Sequence, residues 1–217
     1  MKTRIVIKEN GKIIKKPIDV DDAIKMYVKD PNEIYSDVFF EKRAKKDNEW
    51  KRKFGTYLLS LYNIGSVVDL GCGTGEFLEG FLNSGVKDLR GFEYSYKSAR
   101  KYIEPSIAEF ITYGNVMEKI DCKQFDLVIS IEVAEHILPE KSEVFIKNLT
   151  SLSSKYILLT AAPPGQGGMG HINEREHEYW IEKIEDCGFK FNKEASKNIE
   201  DGFGGSFSNN LLFFIKE

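Results

Sequence analysis

The chain has 217 residues, a net charge of −3 and three cysteines. That length suits one domain with a sizeable core plus an extension. Cys72, Cys122 and Cys187 are too few and too scattered for a disulfide framework or a zinc pattern. No apolar run reaches bilayer length and Met1-Lys2-Thr3-Arg4 leads into no signal-peptide core, so the reading is a cytoplasmic protein without a membrane partner.

The N-terminal stretch alternates from Thr3 to Lys8 and partly from Lys12 to Lys16, around Glu9-Asn10-Gly11. Asn-Gly between alternating runs predicts a two-stranded ribbon. Asp19 or Asp21 can cap a short helix through Val28, closed by Asp30-Pro31. One long helix is expected over 36–62, ended by Ile64-Gly65. Residues 1–55 carry 15 Lys/Arg against 10 Asp/Glu. Basic residues 42–53 would suit an anionic substrate or an RNA end. Asp37, Glu41, Asp47 and Glu49 are interleaved with them, however, and this favours a solvated outer face over a nucleic-acid surface.

Helix and strand then alternate. A strand at 67–70 is followed by a helix at 76–84, a strand at 88–93, a helix at 95–103 and a strand at 107–111. Further on come a strand at 125–131, a helix at 140–149, a strand at 155–160 and a helix at 174–187 with Gly188 as its C-cap. Phe189 to Glu194 and Asn209 to Ile215 read as a hairpin-like arm. The pattern predicts a doubly wound, mostly parallel α/β sheet. Residues 1–53 form an N-terminal hairpin and helical lid segment, and 54–217 form the main domain.

Val67-Val68-Asp69-Leu70-Gly71-Cys72-Gly73-Thr74-Gly75 is the most informative stretch. An apolar strand ends in an acid, three alternating glycines follow, and Glu76 opens a helical pattern. A backbone that turns sharply against a ligand needs glycine there. Position 76 is Glu, so the third glycine of a dinucleotide fingerprint is missing, which argues against a nicotinamide oxidoreductase. Glu93 lies 18 residues past Gly75, near the interval at which an acid accepts ribose hydroxyls, and Tyr94 could lie against an adenine. Gly114-Asn115-Val116 supplies a turn with an amide side chain, and Phe125 to Ile131 reads as a central parallel strand.

VVDLGCGTGEF, GFEYS, GNV and FDLVISIEVAEHI, in this order and spacing, resemble the class I S-adenosylmethionine-dependent methyltransferases over roughly 54–217. The resemblance implies a seven-stranded Rossmann-like fold with S-adenosyl-L-methionine as cofactor. By that likeness Asp69, Gly71, Gly73 and Gly75 face the methionine end, and Glu93 takes the ribose hydroxyls. Asn115 and Val116 meet the adenine edge, while Ser130 to Glu132 line the wall beside the sulfonium. Asn115 departs from the Asp more usual there, yet still offers an acceptor.

On the substrate side, the glycine-rich run Ala161 to Asn173 leaves the carboxyl end of a strand and delivers His171 and Asn173. It suits close backbone packing or a mobile lid. In Glu132-Val133-Ala134-Glu135-His136, a helix start would set Glu132 and His136 on one face. A neutral histidine can take the proton of a hydroxyl acceptor, which makes His136 the general-base candidate and His171 its rival. Glu132, Glu135 and His136 with His171 or His177 also resemble the metal set of RNA 3'-terminal 2'-O-methyltransferases. His177 fits better on an exposed helical turn beside buried Trp180, and the favoured reading has no metal. The expectation is an O-methyltransferase for a small molecule such as a sugar or nucleotide-linked metabolite. Metal-assisted methylation of an RNA end and a catalytically silent cofactor-binding subunit are the alternatives.

Overall fold

The computed structural model describes residues 2–9, 12–30, 34–44, 49–203, 207 and 209–217. Its centre is a seven-stranded sheet made of β3 (Ser66–Leu70), β4 (Asp88–Glu93), β5 (Ile111–Tyr113), β6 (Phe125–Ser130), β7 (Ser153–Thr160), β8 (Phe189–Phe191) and β9 (Leu211–Lys216). The spatial order is β5-β4-β3-β6-β7-β9-β8. The first five strands pair in parallel, and β9 runs antiparallel to both β7 and β8. Chain order reverses between β3 and β6, so their carboxyl ends open the crevice where such sheets bind ligands.

Both faces of the sheet are covered, and the alternation of side chains sorts them. Val67, Leu127, Ile129, Leu158 and Phe213 pack with Phe54, Leu58, Phe77 and Phe81. Val68, Leu70, Val128, Ile157, Leu159 and Phe214 pack with Phe145, Leu149, Trp180 and Ile184 on the other side. This is why the central strands read as continuous apolar runs rather than as alternation. The helices α4 (Glu76–Asn83), α6 (Ser142–Leu152) and α7 (His177–Glu185) lie near their expected places.

The structure revises several elements. Two helices, α2 (Asp37–Ala44) and α3 (Glu49–Leu61), stand where one was expected, and 45–48 lie outside the described residues. They serve different surfaces: α3 packs against α4, whereas α2 packs against α5 (Tyr96–Ala99) and the hairpin. The expected helix at 95–103 is only α5 followed by a 3₁₀ turn, Arg100–Tyr102. The strand expected at 107–111 begins at Ile111, because Ala108–Phe110 coils as a 3₁₀ turn. Ile107 and Ile111 thereby both turn onto Gly75. The C-terminal arm contains an unforeseen helix, α8 (Lys193–Gly202), capped by Asn192 Oδ1 accepting from Ala195 N at 2.9 Å.

At the N-terminus β1 (Lys2–Glu9) and β2 (Lys12–Asp19) pair antiparallel as expected, while Asn10-Gly11 lie outside the described residues. Helix α1 (Val20–Lys29) follows, and Asp19 occupies its N-cap position without a side-chain bond. The hairpin reaches the glycine-rich loop: Gly170 N donates to Arg4 O at 2.9 Å and Thr3 Oγ1 to Gly168 O at 3.0 Å. The three cysteines are free thiols.

Candidate active site

A cavity opens at the carboxyl ends of β3, β4 and β6. Gly71, Gly73, Glu93, Tyr94, Ser95 and Val116 line one part of it. Gly71 and Gly73 have φ of 83° and 59°, the left-handed region that side chains resist. A Cβ on Gly71 would lie 2.5 Å from Val133 Cγ2, so this loop turns where no other residue fits. Glu93 ties the loop down, accepting from Gly73 N at 2.8 Å and Ser95 N at 2.7 Å. Burial pushes the Glu93 carboxyl above its usual range, and the two N–H bonds and Arg43 offset part of the rise.

Asp69 is buried at the end of β3, its pKa raised well above normal by burial first, then by the charges of Glu93 and Glu76. Burial also opposes ionisation of Glu76, but Lys51 and Arg43, with the hydrogen bonds from its own backbone N–H and from Thr74, together hold its pKa below the usual range. Arg43 is the one permanent cation among the described residues lining the cavity. Its Nε lies 3.8 Å from where a Gly73 Cβ would stand.

Other expected residues lie elsewhere. Gly75 turns towards Ile107 and Ile111 rather than into the cavity. Asn115 forms a local turn, its Oδ1 accepting from Met117 N at 3.0 Å and its Nδ2 donating to Glu118 Oε1 at 3.1 Å. Ser130 is buried and donates to Leu70 O at 2.8 Å. Asp69, Gly75, Asn115 and Ser130 thus shape the site without lining it. Ser95 does line it, and its buried Oγ has no hydrogen-bond partner among the described residues. The Ser after Glu93-Tyr94 was visible in the sequence, but nothing in its type marked it.

Tyr35, Phe39, Phe40, Ile131, Glu132, Val133, His136, Ile137, Met169 and His171 line the remainder. No helix starts at Glu132. Glu132 has φ of 59°, anchored by Thr160, whose Oγ1 accepts from Glu132 N at 2.6 Å and donates to Glu132 Oε1 at 3.0 Å. Ala134–His136 form a 3₁₀ turn instead. This brings His136 to His171, ring centroids 5.0 Å apart. Both Nε2 atoms lie 3.8 Å from Glu135 Oε1.

Hydrogen bonds decide which ring nitrogens carry protons. His136 Nδ1 lies 2.9 Å from Gly170 O, and a carbonyl only accepts, so Nδ1 bears the hydrogen. His171 Nδ1 lies 2.8 Å from Glu174 Oε1, with the same consequence. Glu174 also accepts from Gly165 N at 2.8 Å and Gly167 N at 2.7 Å, so the loop is pinned. Both Nε2 lone pairs therefore face one carboxylate. Glu135 is fully buried and neither oxygen has a hydrogen-bond partner of good geometry among the described residues. Burial, then the nearby charge of Glu132, raises its pKa to about 8, offset partly by the N–H groups of Glu135 itself and Ala162. Burial, then His171, lowers the His136 pKa to about 3.

Three lone-pair donors within 4.8 Å of one another, from Glu135, His136 and His171, are the arrangement of a cation site. Ligand bonds of about 2.0–2.2 Å place neighbouring donors a little over 3 Å apart, so the groups, with each Nε2 at 3.8 Å from Glu135 Oε1, would draw in slightly around an ion. Imidazoles whose other nitrogen donates to a carboxylate or carbonyl are the usual metal-binding form. The residues fit such an ion. His177 is excluded from this group: its Nε2 donates to Ala161 O at 2.9 Å. Glu174 and Tyr35 escaped the sequence reading, because their partners are set only by the fold.

Residues 38–194 match the family described as methyltransferase domain. The chain belongs to the class I S-adenosylmethionine-dependent methyltransferases. Magnesium protoporphyrin IX methyltransferase from Synechocystis with bound SAH matches with TM-score 0.63 and 14% identity, over 91% of this chain and 100% of that one. A sugar N-methyltransferase from Streptoalloteichus matches with TM-score 0.62 and 14% identity, over 83% and 92%. The methyltransferase domain of bacterial CtHen1-C matches with TM-score 0.54 and 19% identity, over 76% and 96%. These likenesses are of fold. Comparison with curated protein sequences gives no match. This methyltransferase takes S-adenosylmethionine as cofactor. Among the described residues no helix is long and apolar enough to cross a membrane.

Proposed function

We propose that this methyltransferase O-methylates one hydroxyl of a vicinal diol, as on a sugar or a terminal ribose, beside a divalent cation. Glu135, His136 and His171 would hold the ion, with Glu132 on the cavity wall next to them. The observation that carries this is the pair of Nε2 lone pairs facing a buried carboxylate that no other side chain among the described residues partners. Without an added proton or cation, three lone pairs would face each other in a low-dielectric interior. When bound, such an ion acts as a Lewis acid that acidifies and orients a hydroxyl.

The chain's own residues supply the rest. Glu93 and Ser95 offer acceptors and a hydroxyl to the cofactor ribose, and Tyr94 and Val116 flank its adenine. Arg43 on the cavity wall suits the methionine carboxylate. The acceptor oxygen then attacks the methyl carbon in line. The carbon–sulfur bond breaks, its electron pair stays on sulfur, and the hydroxyl proton passes to solvent water. Alignment provides much of the acceleration because the sulfonium is already activated. His136 alone is a poor base for that proton, since its conjugate acid has a pKa of about 3.

The test is turnover with radiolabelled cofactor on a ribonucleoside and its 2'- and 3'-deoxy forms. Chelation should abolish methylation, Mn²⁺ should restore it, and both deoxy acceptors should fail. Undiminished turnover in EDTA would sink the cation and return the proton to a histidine.

A further inference from the structure

We propose that Tyr35, which lies before the matched family domain, is a positioning residue of the cation site, holding His136 in its ligating orientation. This rests on the cation reading above. Its OH lies 2.8 Å from His136 Nδ1, 101 positions away in the chain. Nδ1 carries the hydrogen because Gly170 O, 2.9 Å away, can only accept. The Tyr35 oxygen is therefore a second acceptor for that same N–H. With both acceptors in place the ring cannot exchange its nitrogens without losing two hydrogen bonds.

The ring of Tyr35 adds to the constraint. It meets the imidazole edge-on, with centroids 5.7 Å apart at 87°, and it rests on Phe39 at 5.3 Å and 74°. A Cβ on Gly170 would stand 2.5 Å from the Tyr35 oxygen, so glycine permits this approach. Gly170 is itself fixed by its N–H donation to Arg4 O at 2.9 Å. The orientation of one imidazole thus depends on three separated segments: the hairpin, the residues before α2 and the glycine-rich loop. Outer hydrogen bonds of this kind set the tautomer and direction of a metal-binding histidine.

Tyr35→Phe keeps the ring and removes only the oxygen. On the full chain, Mn²⁺ binding is measured by electron paramagnetic resonance, S-adenosylhomocysteine binding by calorimetry, and unfolding by thermal melts in EDTA. The expected result is Mn²⁺ affinity weakened about tenfold or more, the usual effect of losing an outer partner. S-adenosylhomocysteine affinity and the melting temperature should stay at the wild-type values. Unchanged Mn²⁺ affinity overturns the proposal, as does a parallel loss of Mn²⁺ and S-adenosylhomocysteine binding, which would mark a purely structural residue. Failure of the wild-type protein to bind Mn²⁺ would overturn the cation reading itself, a separate outcome from a variant that binds as well as wild type.

Discussion

Glu174 holds His171 by its Nδ1 at 2.8 Å, and the same carboxylate takes the N–H groups of Gly165 and Gly167. One side chain thereby orients an imidazole and closes the loop that carries it. Glu174→Ala removes all three bonds. Mn²⁺ affinity should fall about 10–100-fold, and limited proteolysis should cut the loop faster, while S-adenosylhomocysteine binding is retained. A variant with wild-type Mn²⁺ affinity and wild-type digestion would show that neighbouring packing suffices.

The second prediction concerns Glu93, which accepts from Gly73 N and Ser95 N inside the cavity. Glu93→Ala deletes a charged acceptor and loosens the glycine loop. S-adenosylhomocysteine binding, measured by calorimetry, should weaken by about 1.5–3 kcal/mol. An affinity within twofold of wild type would remove Glu93 from the cofactor site.

The third is structural. Helices α3 and α4 touch backbone to backbone, and a Cβ on Gly55 would stand 2.6 Å from Gly80 C. Gly55→Ala should cost about 1–3 kcal/mol of overpacking, outweighing the better helix propensity of alanine. Thermal melts should show a fall of roughly 2–10 °C. An unchanged or higher melting temperature would mean the two helices separate at little cost.

The fourth concerns pH. Burial raises the Glu135 pKa from 4.5 to about 8. Between those values the folded, metal-free protein retains a proton that the unfolded chain releases, so Glu135 lowers stability as pH rises through the window. His136, lowered from 6.5 to about 3, acts oppositely and lowers stability as pH falls through its own window. Glu135→Gln removes only the first effect. In EDTA, the stability of the variant relative to wild type should rise between pH 5 and pH 8, by up to a few kcal/mol. A pH-independent difference would show Glu135 titrating as an ordinary carboxylate.

The glycine-loop side of the cavity was legible in the chain because its determinants are local. Val67 to Gly75 is a strand, a turn and a helix start in one short run, and Glu93 ends the next strand at a fixed interval. Gly75 also faces Ile107 and Ile111, a packing contact that spacing cannot distinguish from a ligand contact. The length of local elements was less visible. Continuous helical periodicity over 36–62 gave no sign that α2 and α3 would serve different surfaces. Helix α8 hid in a polar stretch whose only markers are the Asn192 cap and buried Ala195 and Ile199.

The sequence by itself determined the fold class, the glycine loop and the histidines worth watching, because hydrophobic period and turn chemistry act between near neighbours. Only the tertiary structure decided how those histidines are arranged. It set Glu132 at φ of 59°, buried Glu135 with no side-chain hydrogen-bond partner among the described residues, and brought both Nε2 atoms to 3.8 Å from it. The proton on each imidazole is dictated by Gly170, Tyr35 and Glu174, groups on other segments or across a loop turn. Tautomer, burial and the convergence of lone pairs depend on partners that meet only when the chain is packed.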